Sequence, residues 1–389
     1  MASLQTFTRN RATWLSYTML AYYGYFINIF GPITPFLKDE LQLSYTVSSL
    51  HFSAFALGMI GAGLTGYRVI QKFGRWHSLW IGVFGMCLSA LLLIAGSDPK
   101  ITIGASFLMG LVGSLILAII PSVLSDQYGA MRAVALSEAN VISSIVSAIA
   151  PVLVGWFATM ALGWRAALLI PVLAALMIRF GFGAVNLPAA PVSSAAGASR
   201  GRLPRLYWIY WVALVVGVSV EFCMIFWSAD YLETVLKVPK ADAAQAVSLF
   251  LIAMIIGRLA SSRLVQRFTS HQVVTVSLLI ATAGFLIYWT ASTPILGIVG
   301  LFITGLGVAG LYPLILSLAI GSAGSSVDRA SALSSLASGT AIFLLPLILG
   351  RLADAVGIRS AYAVIIVLLV IAFVIILGTA RSINMGANR

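Results

Sequence analysis

Long apolar runs follow one another along this chain of 389 residues, each closed by a short polar, proline- or glycine-containing break. A helix needs about 20 apolar residues to cross the hydrocarbon of a bilayer. The pattern predicts twelve such helices, at roughly 13–37, 44–68, 77–96, 101–125, 132–160, 164–187, 206–233, 243–266, 271–291, 294–321, 329–353 and 358–380. Breaks such as Lys38-Asp39-Glu40, Ser97-Asp98-Pro99-Lys100 and Gly163-Trp164-Arg165 carry the charge, proline or glycine that ends a span. One interruption is longer. Pro188–Arg205 is rich in Ala, Ser, Gly and Pro, which cannot build a core, and reads as a flexible linker. The chain therefore divides into residues 1–187, a linker at 188–205, and residues 206–389.

The two halves resemble each other. At a shift of 195, Ser53, Phe55, Met59, Ile60, Leu64, Arg68, Gln71 and Phe73 meet Ser248, Phe250, Met254, Ile255, Leu259, Arg263, Gln266 and Phe268. Pro151 and Gly155 meet Pro346 and Gly350 at the same shift. A period of half the chain describes two membrane units joined in tandem. An even number of spans in each keeps their orientation the same, so the repeat is parallel.

Composition agrees. Hydrophobic residues make up 60% of the chain and charged residues only 9%, against about 25% charged in a soluble domain. The formal net charge of +12 would point to nucleic acid in a soluble protein. Here the basic residues sit between apolar runs, where they set topology. Sixteen of the 23 Lys and Arg residues fall on the side that carries the linker. The linker and both termini are therefore expected in the cytoplasm. Arg9 and Arg11 precede a long apolar run without a cleavage-type end, as in a retained first span. Cys87 and Cys223 lie in apolar runs and read as packed free thiols. No metal-ligand cluster, P-loop or nucleophile elbow is present, so neither an enzyme nor a bound cofactor or metal is expected.

The basic stretch after the second span, Tyr67 to Arg75, resembles the loop signature of the major facilitator superfamily, G-x-x-x-D-[R/K]-x-G-[R/K]-[R/K]. Lys72, Gly74 and Arg75 fit it, while Tyr67 and Gln71 replace the glycine and the acid. A second echo is Gly350-x-x-x-Asp354-x-x-Gly357 at the end of span eleven. With the span count and the tandem repeat, the resemblance covers nearly the whole chain. It implies an all-α membrane protein of twelve transmembrane helices in two six-helix pseudo-symmetric bundles. It further implies alternating access, with spans one, four, seven and ten lining the path.

Several residues carry candidate chemistry. Glu221 lies 16 residues from both Arg205 and Lys237, near mid-membrane. A carboxylate there is costly and survives by facing a wet cavity, by pairing or by holding a proton. It is the first proton-coupling candidate; a structural hydrogen bond to a neighbouring helix is the competing role. His51 and Glu138 are the next candidates, against a satisfied structural histidine and a rim carboxylate. Tyr22, Tyr25 and Asn28 in span one, Asn140 in span five and Tyr312 in span ten are candidate solute contacts, against core packing. Tyr312-Pro313 follows Gly305, Gly307 and Gly310, so span ten can bend there. Arg68, Gln71, Lys72, Arg75, Asp126 and Arg258 form a candidate cytoplasmic gate, with Asp126 closing an ion pair to the basic loop. Arg258 lies nine residues before Arg267, about 13 Å along a helix, and can reach an anion or snorkel to the surface.

The expected function is secondary active transport, with proton-coupled symport of a small neutral, sugar-like solute as the first reading. Proton-driven efflux of lipophilic or cationic compounds is the second. An organic anion carrier is the third, and it wants a deep Arg or Lys, which spans one, four, seven and ten lack. The expected setting is a monomer in a bacterial inner membrane. Its partners are a small-molecule substrate, protons and lipid, and not nucleic acid.

Overall fold

The computed structural model describes residues 7–183, 185, 187, 188, 203–324 and 326–387, and every regular element among them is a helix. Most of the predicted linker, residues 189–202, lies outside the described residues. The first half holds α1 (Arg11–Glu40), α2 (Tyr45–Ala95), α3 (Pro99–Tyr128), α4 (Arg132–Ala158) and α5 (Ala166–Phe182). The second holds α6 (Arg205–Leu236), α7 (Lys240–Leu264), α8 (Ser270–Thr290), α9 (Pro294–Val308), α10 (Leu311–Gly321), α11 (Val327–Val356), α12 (Ile358–Ala361) and α13 (Ala363–Ala387).

Among the described residues, length and composition qualify eight helical stretches as membrane-crossing. Tyr45–Ala95 and Pro99–Ala158 are each long enough to cross twice. The 51 residues of α2 run about 77 Å against about 30 Å of hydrocarbon. With Arg11–Glu40 and the shorter apolar helix Ala166–Phe182, these stretches make twelve crossings in two bundles of six.

Three boundaries differ from those read from the sequence. The second and third predicted helices are one element, bent at Gly74, whose φ of 74° and ψ of 165° are open to glycine and strained for other residues. The tenth is two elements. α9 stops at Val308 and α10 restarts at Leu311, because the Pro313 ring has no N–H to give Ala309 and crowds its carbonyl. The sixth helix is shorter than predicted and ends at Phe182.

In lipid, helices associate through close backbone approach rather than through a hydrophobic force. A Cβ on Gly110 would collide with the Phe55 carbonyl, and this approach seats α3 on α2. Between the halves, α2 packs on α11, α4 on α7, and α1 on α6. The linker side is the end carrying Gly183 and Leu203; the far side carries the α1–α2 and α6–α7 turns.

The far side is latched by contacts between the halves. Lys38 Nζ pairs with Asp230 Oδ2 at 2.5 Å, and Lys240 pairs with Asp39. Asp354 at the end of α11 accepts hydrogen bonds from the Tyr45 and Thr46 backbone N–H groups, both at 2.8 Å. Gly350, one turn earlier, lets α11 lie against the Tyr45 carbonyl and Ser49. Beneath this layer Phe52 and Phe226 stack with centroids 4.1 Å apart, and Ser53 donates to the Phe343 carbonyl at 2.8 Å.

Candidate functional site

α1, α4, α6 and α7 meet around a cavity of ≈ 90 Å³ between the halves. The first half supplies Asn28, Ser144 and Ser147. The second supplies Glu221 and Arg258, with Phe222, Ile225, Leu251, Met254 and Ile255 as apolar walls. Glu221 is near the middle of α6, and its side chain is 12% exposed. Arg258 Nη2 donates to Glu221 Oε1 at 3.3 Å, and the Arg258 side chain is 43% exposed. The ion pair joins neighbouring helices of one half; the hydroxyls and the amide come from the other half. Asn28 Nδ2 donates to the Gly24 carbonyl one turn back at 2.9 Å. Tyr312 at the start of α10 lies within electrostatic reach of Glu221 and beside Ser338.

The candidate tyrosines of span one are elsewhere. Tyr25 donates its hydroxyl to the Ala167 carbonyl at 2.7 Å, and Tyr22 meets Cys87 Sγ at 3.2 Å. Both hydroxyls are committed inside the first half, and neither residue lines the cavity. Asn140 is exposed and donates to the Leu136 carbonyl at 2.7 Å. Span five reaches the cavity instead through Ser144 and Ser147, one to two turns further along.

The two other proton-coupling candidates are held by partners outside the cavity. Both His51 ring nitrogens are engaged, Nε2 with Thr102 Oγ1 at 2.8 Å and Nδ1 with the Ser48 carbonyl at 3.1 Å. Glu138 accepts from Arg9 Nε at 2.8 Å, Arg9 Nη2 at 2.6 Å and the Tyr17 hydroxyl at 2.9 Å. It ties the segment before α1 to α1 and α4 on the linker side.

Among the candidate gate residues, Arg75 is buried and pairs with Asp126 Oδ2 at 2.7 Å. Its Nη1 also donates to the Pro188 carbonyl at 2.9 Å. All three residues belong to the first half or its junction with the linker, so this pair does not bridge the halves. Gln71 donates to the Tyr67 hydroxyl at 2.6 Å, Lys72 lies over the Phe73 ring, and Arg68 is exposed. Arg258, grouped with the gate from its sequence position, instead points into the central cavity. A roomier hollow of ≈ 330 Å³ lies between α2 and α3 on the linker side. Its one charged lining residue is Arg75, already committed, and it touches one half alone.

Sequence reasoning missed Asp230 and Lys38 as a pair. Asp230 is fully buried and also accepts from Thr234 Oγ1 at 3.1 Å. The signal was present, since Asp230 is a second acid inside the apolar run 206–233.

A family model described as Major Facilitator Superfamily matches residues 15–270 and 209–384. Among curated proteins, "Uncharacterized transporter y4wD" of Sinorhizobium fredii (strain NBRC 101917 / NGR234) is 31% identical over 172 residues. That match covers 44% of this chain and 45% of the relative, so the chain matches less than half the relative's length. Similar solved structures include a D-xylose-proton symporter with a TM-score of 0.76 and 14% identity, covering 94% of this chain and 96% of that one. A bacterial homologue of the human lysosomal transporter Spinster matches with a TM-score of 0.76, 16% identity and 97% and 98% coverage. The nucleoside transporter NupG (D323A mutant) matches with a TM-score of 0.74, 14% identity and 95% and 98% coverage. At these identities the likeness is one of fold.

Proposed function

The chain belongs to the major facilitator superfamily and is an integral membrane transporter; from that premise we propose that it carries a small polar solute together with a proton through the cavity at Glu221. One observation carries the reading. The one acid lining the cavity between the halves sits at mid-helix, where a carboxylate is costly unless it is used. Alternating access moves such a site from one face to the other by rocking one bundle against its partner. The solute would be held across the halves, by Asn28, Ser144 and Ser147 on one wall and by Arg258 on the other. A neutral, sugar-like solute drew on Tyr25, Asn28 and Tyr312; Asn28 lines the cavity, while the Tyr25 hydroxyl is bonded to the Ala167 carbonyl. The asymmetry of Lys and Arg supports cytoplasmic termini in a bacterial inner membrane.

Glu221→Gln keeps the side chain's shape and mimics its protonated form. In proteoliposomes it is expected to abolish uphill, proton-driven accumulation while solute exchange continues. Glu138→Gln, which only loosens the Arg9 and Tyr17 contacts, is expected to leave the proton stoichiometry unchanged. Coupled proton flux that survives Glu221→Gln at the wild-type ratio, with equal folded protein, removes Glu221 from the mechanism.

A further inference from the structure

We infer that the transported solute is a small monoanion, a short-chain carboxylate, which takes Arg258 from Glu221 as the proton enters on Glu221. The inference rests on the proton-coupled reading above and names its substrate class. Three features of the cavity carry it.

The first is charge balance. The Glu221–Arg258 pair is neutral as it stands. Adding a proton to Glu221 with a neutral solute would leave the guanidinium, whose side chain is 43% exposed, without its one protein counter-charge in the cavity. Adding a proton together with a monoanion leaves the cavity as neutral loaded as it was empty. A dianion would break the balance in the other direction.

The second feature is the supply of donors. Arg258 spends one N–H on Glu221 at the long distance of 3.3 Å, and its planar fork can grip a carboxylate with two. Ser144 and Ser147 face the same space, and their hydroxyls make no hydrogen bond among the described residues. A guanidinium and two hydroxyls thus face one protein carboxylate, and an anion satisfies them better than a neutral polyol does.

The third feature is size. The cavity of ≈ 90 Å³ is small, and Ile225, Leu251 and Met254 offer a short carbon tail an apolar wall. Arg258 is the charged group that acts on Glu221 among the described residues, and Glu221 in turn acts on Tyr312. α1 and α4 present only Asn28, Ser144 and Ser147 to the cavity, and these do not titrate.

The test uses the purified full chain in proteoliposomes, with glycolate, lactate and pyruvate as monoanions and xylose as the neutral comparison. Solute-driven proton uptake is followed at zero and at inside-negative potential. The three acids are expected to carry one proton each, at a rate indifferent to potential. Arg258→Gln is expected to weaken lactate binding by roughly tenfold or more, with Arg258→Lys, a folded control, retaining part of it. Proton-coupled xylose uptake that quickens at inside-negative potential overturns the monoanion and leaves the proton-coupled reading standing. Failure of all three acids to move a proton, or lactate binding unchanged in Arg258→Gln, also overturns it. Carriage of either solute class with no proton movement at all overturns the proton-coupled reading itself.

Discussion

At the residue scale, Lys38 and Asp230 tie the two halves together at the far side. Asp230 is fully buried, with Lys38 Nζ at 2.5 Å and Thr234 Oγ1 at 3.1 Å. The ammonium also lies 4.2 Å from the Tyr45 ring centroid. A buried pair adds little over an apolar packing of the same shape, but losing one partner leaves an uncompensated charge. Lys38→Met is therefore expected to cost the far-side-closed state about 3 kcal/mol. A cysteine at Ser48, buried beside this pair, reports the change through maleimide labelling in a background lacking Cys87 and Cys223. Labelling should rise sharply in Lys38→Met and fall back in the double variant with Asp230→Asn. Labelling as slow as in the parent would show that the pair holds nothing closed.

At the element scale, the seam between α2 and α11 depends on how closely two backbones approach. Gly350 faces the Tyr45 carbonyl, and Asp354 one turn later caps the first two N–H groups of α2. The helix N-terminus is electropositive, so the carboxylate there bonds two orphan donors and meets the dipole as well. Gly350→Val drives a branched side chain into that carbonyl and Ser49, which separates the helices and carries Asp354 away from its cap. The expected result is a far side open to the same Ser48 label, with Asp354→Ala giving a smaller effect of about 1 kcal/mol. An unchanged labelling rate in Gly350→Val would mean that the seam is not a close-packed contact.

At the scale of the whole molecule, the two bundles meet through the paired helices α2–α11, α4–α7 and α1–α6. The polar latches at the far side and the cavity beneath them are different layers of that one interface. Breaking a latch should therefore change which face reaches Glu221 without changing what binds there. Arg75 anchors the start of the linker at Pro188 and the end of α3 at Asp126. Cysteines placed at 195–199, outside the described residues, are expected to react only with reagent added from the cytoplasmic side. Reaction from outside in intact cells would overturn the assigned orientation.

Twelve crossings, the half-chain repeat and a mid-span acid at Glu221 were all legible in the sequence, because length, apolarity and the cost of a carboxylate in lipid are local properties. Gly350-x-x-x-Asp354 was legible as a motif, though not as a cap on another helix. Tyr25 and Arg258 show where such reading stops. Both lie on helices, and their depth follows from counting residues; the direction each side chain takes does not. Rotation of α1 about its axis is set by its packing on α4, α6 and α5, and it turns the Tyr25 hydroxyl toward Ala167. The packing of α7 beside α6 brings the Arg258 guanidinium within reach of Glu221 while leaving its side chain 43% exposed. The sequence by itself determined which residues lie at membrane depth. Only the tertiary structure decided which of them share one cavity, since that depends on contacts between helices far apart along the chain.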